Sequence, residues 1–207
     1  MLGFDTSSAH CGAALLQGQD IAAARDEPMA KGQSERLFPM IDEILTEAGV
    51  DFGDLDAVAV GTGPGNFTGI RIAVSAARGL ALSLDIPAVG VTLFEALACG
   101  TTGPTLRTIG GPRDQVYFMG PNDTAIALAK IHDLPPQPAG TLVVGHRSDE
   151  VAEALGLSSQ PAAFAPASAI ARVAATRWRK TTTPPAPLYF RAPDAAPSRV
   201  VPPEIVP

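Results

Sequence analysis

Between residues 61 and 69 the chain reads Gly-Thr-Gly-Pro-Gly-Asn-Phe-Thr-Gly, four glycines set between two segments of opposite character. Before them, residues 55–60 form a Val-containing apolar run of strand length; after them, residues 70–84 are rich in Ala and Leu, as a helix would be. A strand, a glycine-rich loop and a helix in succession predict an α/β fold. They also suggest a use, because glycines let backbone approach an anion closely at a helix N-terminus. Gly61, Gly63 and Gly65 are therefore candidate phosphate-binding positions, with Arg71 just inside the helix able to pair with a phosphate or with an acidic neighbour. A tight structural turn accounts equally well for the loop. It is not a Walker loop, since no Gly-Lys-Ser or Gly-Lys-Thr follows, and it is not a clean dinucleotide fingerprint.

Upstream, short apolar runs at 2–4, 12–17 and 20–25 are separated by turn-forming groups and predict a three-stranded meander. From Ser34 to Ala48, apolar residues recur every three or four positions, predicting an amphipathic helix capped by Ser34 and ended by Gly49. Pro87 and Val89 lead into a short strand, and Thr92 should cap a helix through Ala98. Gly, Pro and Thr cluster over 100–112, which places a lobe boundary there: residues 1–102 as one lobe, 103–207 as a smaller, degenerate one. In the second half, 115–119 and 141–144 read as strands and 149–155 and 167–179 as helices. A Pro-rich tail is expected from Ala192. No internal repeat is visible.

Charge narrows the function classes. With 15 Lys and Arg against 21 Asp and Glu, the net charge of −6 is the wrong sign for a chain that holds nucleic acid alone. Hydrophobic residues at 46% and charged ones at 17% supply enough apolar surface for a packed core and argue against global disorder. Two cysteines are too few for a disulfide framework or a thiolate metal site. No basic leader precedes an apolar run, and no stretch of some twenty apolar residues lacks a charge, Gly or Pro, so the expectation is a cytoplasmic protein that does not span a membrane.

Asp5, Thr6, Ser7 and Ser8 put a carboxylate and three hydroxyls in the first turn. They could hold a phosphate and a hydrated metal ion, or form a polar hairpin turn. His10, His132 and His146 are scattered, no Gly-x-Ser-x-Gly elbow occurs, and an autonomous hydrolase finds no support. Asp42, Glu43 and Glu47 read as a solvated or partner-facing helix side.

Three stretches together, Gly3-Phe4-Asp5-Thr6-Ser7-Ser8, residues 33–41 and GTGPGNFTGIR at 61–71, resemble the TsaB family, also called YeaZ. The similarity continues through Gly79-Leu80-Ala81-Leu82, residues 86–90 and 95–98, so it covers nearly all of the first half. In the second half it rests on Gln115-Val116-Tyr117-Phe118 and on Pro187-Leu188-Tyr189-Phe190-Arg191. The resemblance implies a duplicated, two-lobed actin/Hsp70-like ATPase fold with mixed sheets and a reduced second lobe. It implies a noncatalytic subunit that binds TsaD, with TsaE, to form N6-threonylcarbamoyladenosine in tRNAs reading codons that begin with A, and that meets tRNA only through the complex. A homodimer through the same helices is a further implied state. The implied contacts lie on the first two helices, at Arg36, Leu37, Met40, Ile41, Ile44, Arg71, Val74, Ser75 and Arg78; the apolar members could instead face the lobe's own sheet. The metal-binding His-x-x-x-His of TsaD-like proteins aligns with Leu93 and Leu97, and leucine donates no lone pair. No cofactor is expected, beyond vestigial nucleotide binding at the glycine loop. Two departures stand out: Gln33 where relatives often have His, and Gly110-Gly111-Pro112-Arg113 where they often read Asp-Ala-Arg. The competing reading is an independent kinase-like ATPase or a glycoprotease-like peptidase.

Overall fold

The computed structural model describes residues 1–190. It contains two five-stranded mixed sheets with one shared topology. In the first, β1 (Leu2–Asp5) pairs antiparallel with β2 (His10–Gln17), which pairs antiparallel with β3 (Asp20–Pro28). On the other side of β1 lie β4 (Val58–Gly61) and then β5 (Ala88–Val91), both parallel. In the second sheet, β6 (Thr105–Gly110) takes the place of β1, with β7 (Gln115–Met119) and β8 (Ala127–Lys130) antiparallel on one side. Strands β9 (Leu142–Gly145) and β10 (Ser158–Ser159) lie parallel on the other. The chain is thus a duplication that its residues do not announce, in the actin/Hsp70-like arrangement.

Helices α1 (Gln33–Ala48) and α2 (Phe67–Leu84) cover one face of the first sheet. Strand alternation decides which residues meet them: Leu2, Phe4, Cys11, Ala13, Leu15, Val58 and Val60 point into that core. Helix α1 is capped by Gly32 in a left-handed conformation; Ser34 lies inside the helix, and its hydroxyl donates to Glu35. Helix α2 begins three residues earlier than its Ala- and Leu-rich run suggests, because the Asn66 side chain accepts from Gly69 N. Thr92 caps α3 (Leu93–Ala98) as expected, and Glu95 answers it to complete a capping box.

The last helix of each half crosses over. Helix α3 follows β5 but packs against β6 and β9, while α5 (Pro166–Ala175), from the second half of the sequence, packs against β1, β2 and β4. The two helices touch each other between the sheets, around Val91, Phe94, Ala169 and Ile170. The division at 102/103 therefore separates the sheets but not the packing units. Gly3 makes the crossing feasible, since a Cβ there would lie 2.8 Å from the Ala167 carbonyl oxygen and from the Ala171 methyl. The outer face of the second sheet is covered by a short helix, α4 (Ser148–Leu155), and by Ile131 and Leu134 at a 3-10 turn, over Leu106, Val116 and Val143.

Candidate functional site

The first turn and the glycine loop pack onto one another at the C-terminal ends of β1 and β4. Asp5, Thr6 and Ser7 are fully buried. Thr6 Oγ1 donates to Gly69 O at 2.7 Å, and Asn66 N donates to Ser7 O at 2.6 Å. A Cβ at Gly61 would collide with the Asp5 carboxylate, and one at Gly65 or Gly69 with the carbonyls of Ser7 and Thr6. A Cβ at Gly63 would meet Ile70, 2.6 Å away. Gly61, Gly65 and Gly69 thus allow close packing of the loop on the first turn, and Gly63 allows it to close over Ile70 of α2. Arg71 projects outward instead and stands 5.1 Å from the centre of the Phe67 ring.

One group that spacing treated as isolated sits at the centre of this region. His10 opens β2, and its Nε2 lies 2.7 Å from Asp5 Oδ2 while its Nδ1 lies 2.7 Å from Asp26 Oδ1 on β3. Burial disfavours the imidazolium, but hydrogen bonds and charge from Asp5 and Asp26 outweigh it and raise the pKa to about 8. His10 is therefore charged at neutral pH and bridges two carboxylates. Ser7 N and Oγ also donate to Asp5 Oδ2, while buried Oδ1 has no partner among the described residues. The pairing of His10 across β2 and β3 is the signal that could have placed it, since it stands opposite Pro28, next to the register that holds Asp26. The neighbouring Cys11 is buried, and burial pushes its thiol up to about 11, away from nucleophilic use at neutral pH.

Between the sheets a cleft of about 280 Å³ opens where β6 and β9 end. Its walls are largely apolar, from Leu93, Leu97, Ile109 and Phe164, with Ser8, Thr108 and His146 as polar groups; no Lys or Arg lines it. Leu93 and Leu97 thus stand in the cleft at the positions that the resemblance assigns to metal-binding imidazoles. Their side chains do not fit a metal ion, and among the described residues no cluster of three His, Cys, Asp or Glu could hold one.

The helix face expected to meet a partner divides in two. Leu37, Met40, Ile41, Ile44 and Val74 are buried in the core beneath α1 and α2, so they are not available as contacts. The physical reason is that α1 carries a single apolar stripe and the first sheet claims it. Arg71, Ser75 and Arg78 are exposed on α2, and with Leu82 they form a stripe at spacings of four, three and four. Arg36 is half-buried and is held by both Glu27 and Glu43. Phe38, an apolar residue of the same helix, is exposed on α1. Helix α2 is apolar by mean composition, yet it carries Gly69, Arg71, Arg78 and Gly79, in keeping with the expectation that no long apolar stretch lacks a charge, Gly or Pro. Only 28% of it is buried.

Comparison with known proteins places the chain. The family described as TsaD, tRNA N6-adenosine threonylcarbamoyltransferase, matches residues 27–191. The protein Rv3421c of Mycobacterium tuberculosis is 32% identical over 97% of this chain and 95% of its own length. The tRNA threonylcarbamoyladenosine biosynthesis protein TsaB of Escherichia coli is 37% identical over 123 residues, covering 57% of this chain and 53% of that one. Among solved structures, YeaZ from Pseudomonas aeruginosa superposes with a TM-score of 0.71 at 27% identity, over 86% of this chain and 92% of that one. This chain belongs to the tRNA N6-adenosine threonylcarbamoyltransferase family, as a member of its TsaB (YeaZ) group.

Proposed function

We propose that this chain acts in the biosynthesis of N6-threonylcarbamoyladenosine in tRNA as a noncatalytic subunit, which binds and activates TsaD across the outer face of α1 and α2. One observation carries the reading: α2 is an apolar helix of 18 residues of which only Gly69, Ile70, Ala73, Val74 and Ala77 are buried. Ile72, Ala76, Leu80 and Leu84 pack half-buried against the core, and the open side of α2 presents Phe67, Arg71, Ser75, Arg78 and Leu82, the mix of aromatic, arginine and aliphatic side chains that a second protein covers. The exposed stripe carries Arg71 and Arg78, neither paired with an acid among the described residues of an otherwise acidic protein, and these suit a partner surface bearing carboxylates. The leucines in the interlobe cleft support a silent subunit, because the metal chemistry belongs to a relative with imidazoles at those places.

In this reading TsaE joins the same complex, tRNAs that read codons beginning with A are met only through it, and the work is done in the cytoplasm without a cofactor in this chain. A homodimer would use the same face and compete with TsaD. Size-exclusion chromatography with light scattering, of the chain alone and mixed with TsaD from its own organism, tests the reading. A one-to-one complex that Arg78→Glu and Leu82→Asp weaken is the expected result. Absence of any complex, with ATP hydrolysis by the chain alone, would overturn it in favour of a kinase-like activity.

A further inference from the structure

The motif Pro187-Leu188-Tyr189-Phe190 has no part in the reading above, yet the structure ties it to α2. After α5, Arg177 donates to Gly90 O and pairs with Glu95, which starts the chain along β5. Residues 181–184 then face Arg78 and Leu82 across a groove at the far end of α2. Pro185 packs on Gly90, where a Cβ would lie 3.2 Å from the proline Cβ. Leu188 N donates to Thr62 O at 2.9 Å, inside the glycine loop. The Tyr189 ring lies 4.7 Å from that of Phe67, the first residue of α2, and the Phe190 ring 5.6 Å from Tyr117 on β7. This strap therefore runs from one end of the open helix to the other.

We propose that the strap is a recognition element of its own: Tyr189 and Phe190, with Phe67 and Arg71, form an aromatic and cationic patch that docks a carboxylate-bearing surface of the protein partner. The inference rests on the partner-subunit reading and extends its interface beyond the helices. Three of the six large hydrophobic side chains exposed among the described residues meet here, Phe67 at 37%, Tyr189 at 42% and Phe190 at 41%. Stacking already orders their rings, so little rotamer freedom is lost on docking. Aromatic residues and arginine are the types in which binding energy concentrates. The Arg71 guanidinium lies over Phe67 and pairs with no acid among the described residues, which leaves its N–H groups for a partner carboxylate. A strand of RNA could stack on the same rings, but the net charge of −6 disfavours it.

Titration calorimetry with TsaD of the same organism, on the full chain, tests the patch. Tyr189→Ala and Arg71→Glu should each weaken binding by about tenfold or more, and Tyr189→Phe should stay within about twofold, with Tm unchanged in the exposed Arg71 variant. Amide exchange of the free protein should quicken in the first turn of α2 in Tyr189→Ala. Should Arg78→Glu weaken the complex while Tyr189→Ala and Arg71→Glu do not, the strap is no part of the interface, although the subunit reading stands. No complex with the unaltered chain overturns both. Loss of binding to a uridine 15-mer in Tyr189→Ala, with affinity for TsaD unchanged, would assign the patch to RNA instead.

Discussion

The two halves share a strand order and differ in what covers it. The first sheet has strands of up to nine residues and two helices of 16 and 18 residues over its outer face. In the second, the place of α1 is taken by a single 3-10 turn at Ile131–Asp133 and a proline-rich link, and the counterpart of α2 is the eight-residue α4. The same topology has thus been kept for scaffolding in one half and elaborated into a broad helical face in the other. What the halves still share is the exchange of their last helices, each of which completes the other's sheet.

The sharpest way to break the comparison is to cut it. A fragment of residues 1–102 loses α5, exposing Gly3, Gly12 and Ala59 of the first sheet, and should show neither dispersed amide resonances nor a cooperative melt; a folded fragment would show that the crossing is dispensable. Next in size, Gly3→Val should cost about 3 kcal/mol in urea unfolding, because its methyls would enter the α5 backbone. Gly79→Ala, on open helix surface with nothing within 4 Å, should be neutral or stabilising.

Among the described residues His10 has no counterpart of this kind in the second half. Its folded pKa of about 8 stands above the ordinary 6.5, so the stability it lends is complete below pH 6.5 and is lost as pH rises to 8. His10→Ala should therefore be less stable by about 1–2 kcal/mol at pH 6 and should lack that slope, as chemical denaturation at several pH values would show. The smallest contrast is between two braced arginines, Arg36 with Glu27 and Glu43 in the first half and Arg147 with Asp114 and Glu150 in the second. Replacing either by Ala should cost no more than about 1 kcal/mol by the same assay, since both networks lie in reach of water.

The first half was legible because its signals agree. Apolar periodicity, the glycine loop and the Thr92 cap each point to the element that forms. What periodicity could not tell was direction: Leu37, Met40, Ile41 and Ile44 mark one face of α1 whether a sheet or a partner covers it, and only the sheet's position decides. In the second half, β6 begins within the Gly, Pro and Thr cluster that reads as a boundary, and β8 is four residues, Ala-Leu-Ala-Lys, without alternating burial. The duplication is invisible for the same reason, because it is carried by hydrogen-bond order and not by matching side chains. His10 was missed because its partners come from a turn and from an adjacent strand, which linear spacing does not join.

The exchange of helices also sets a timetable. Strand β5 completes the first sheet's strands at Val91, but the helix that covers their inner face ends only at Ala175, about 80 residues later. At the roughly 5–20 residues per second of chain synthesis, the nascent sheet waits about 4–16 s with Ala59, Val89 and Val91 uncovered. For that interval the inner face stays open to solvent, so a change that slows or destabilises α5 lengthens the time the apolar strands spend exposed.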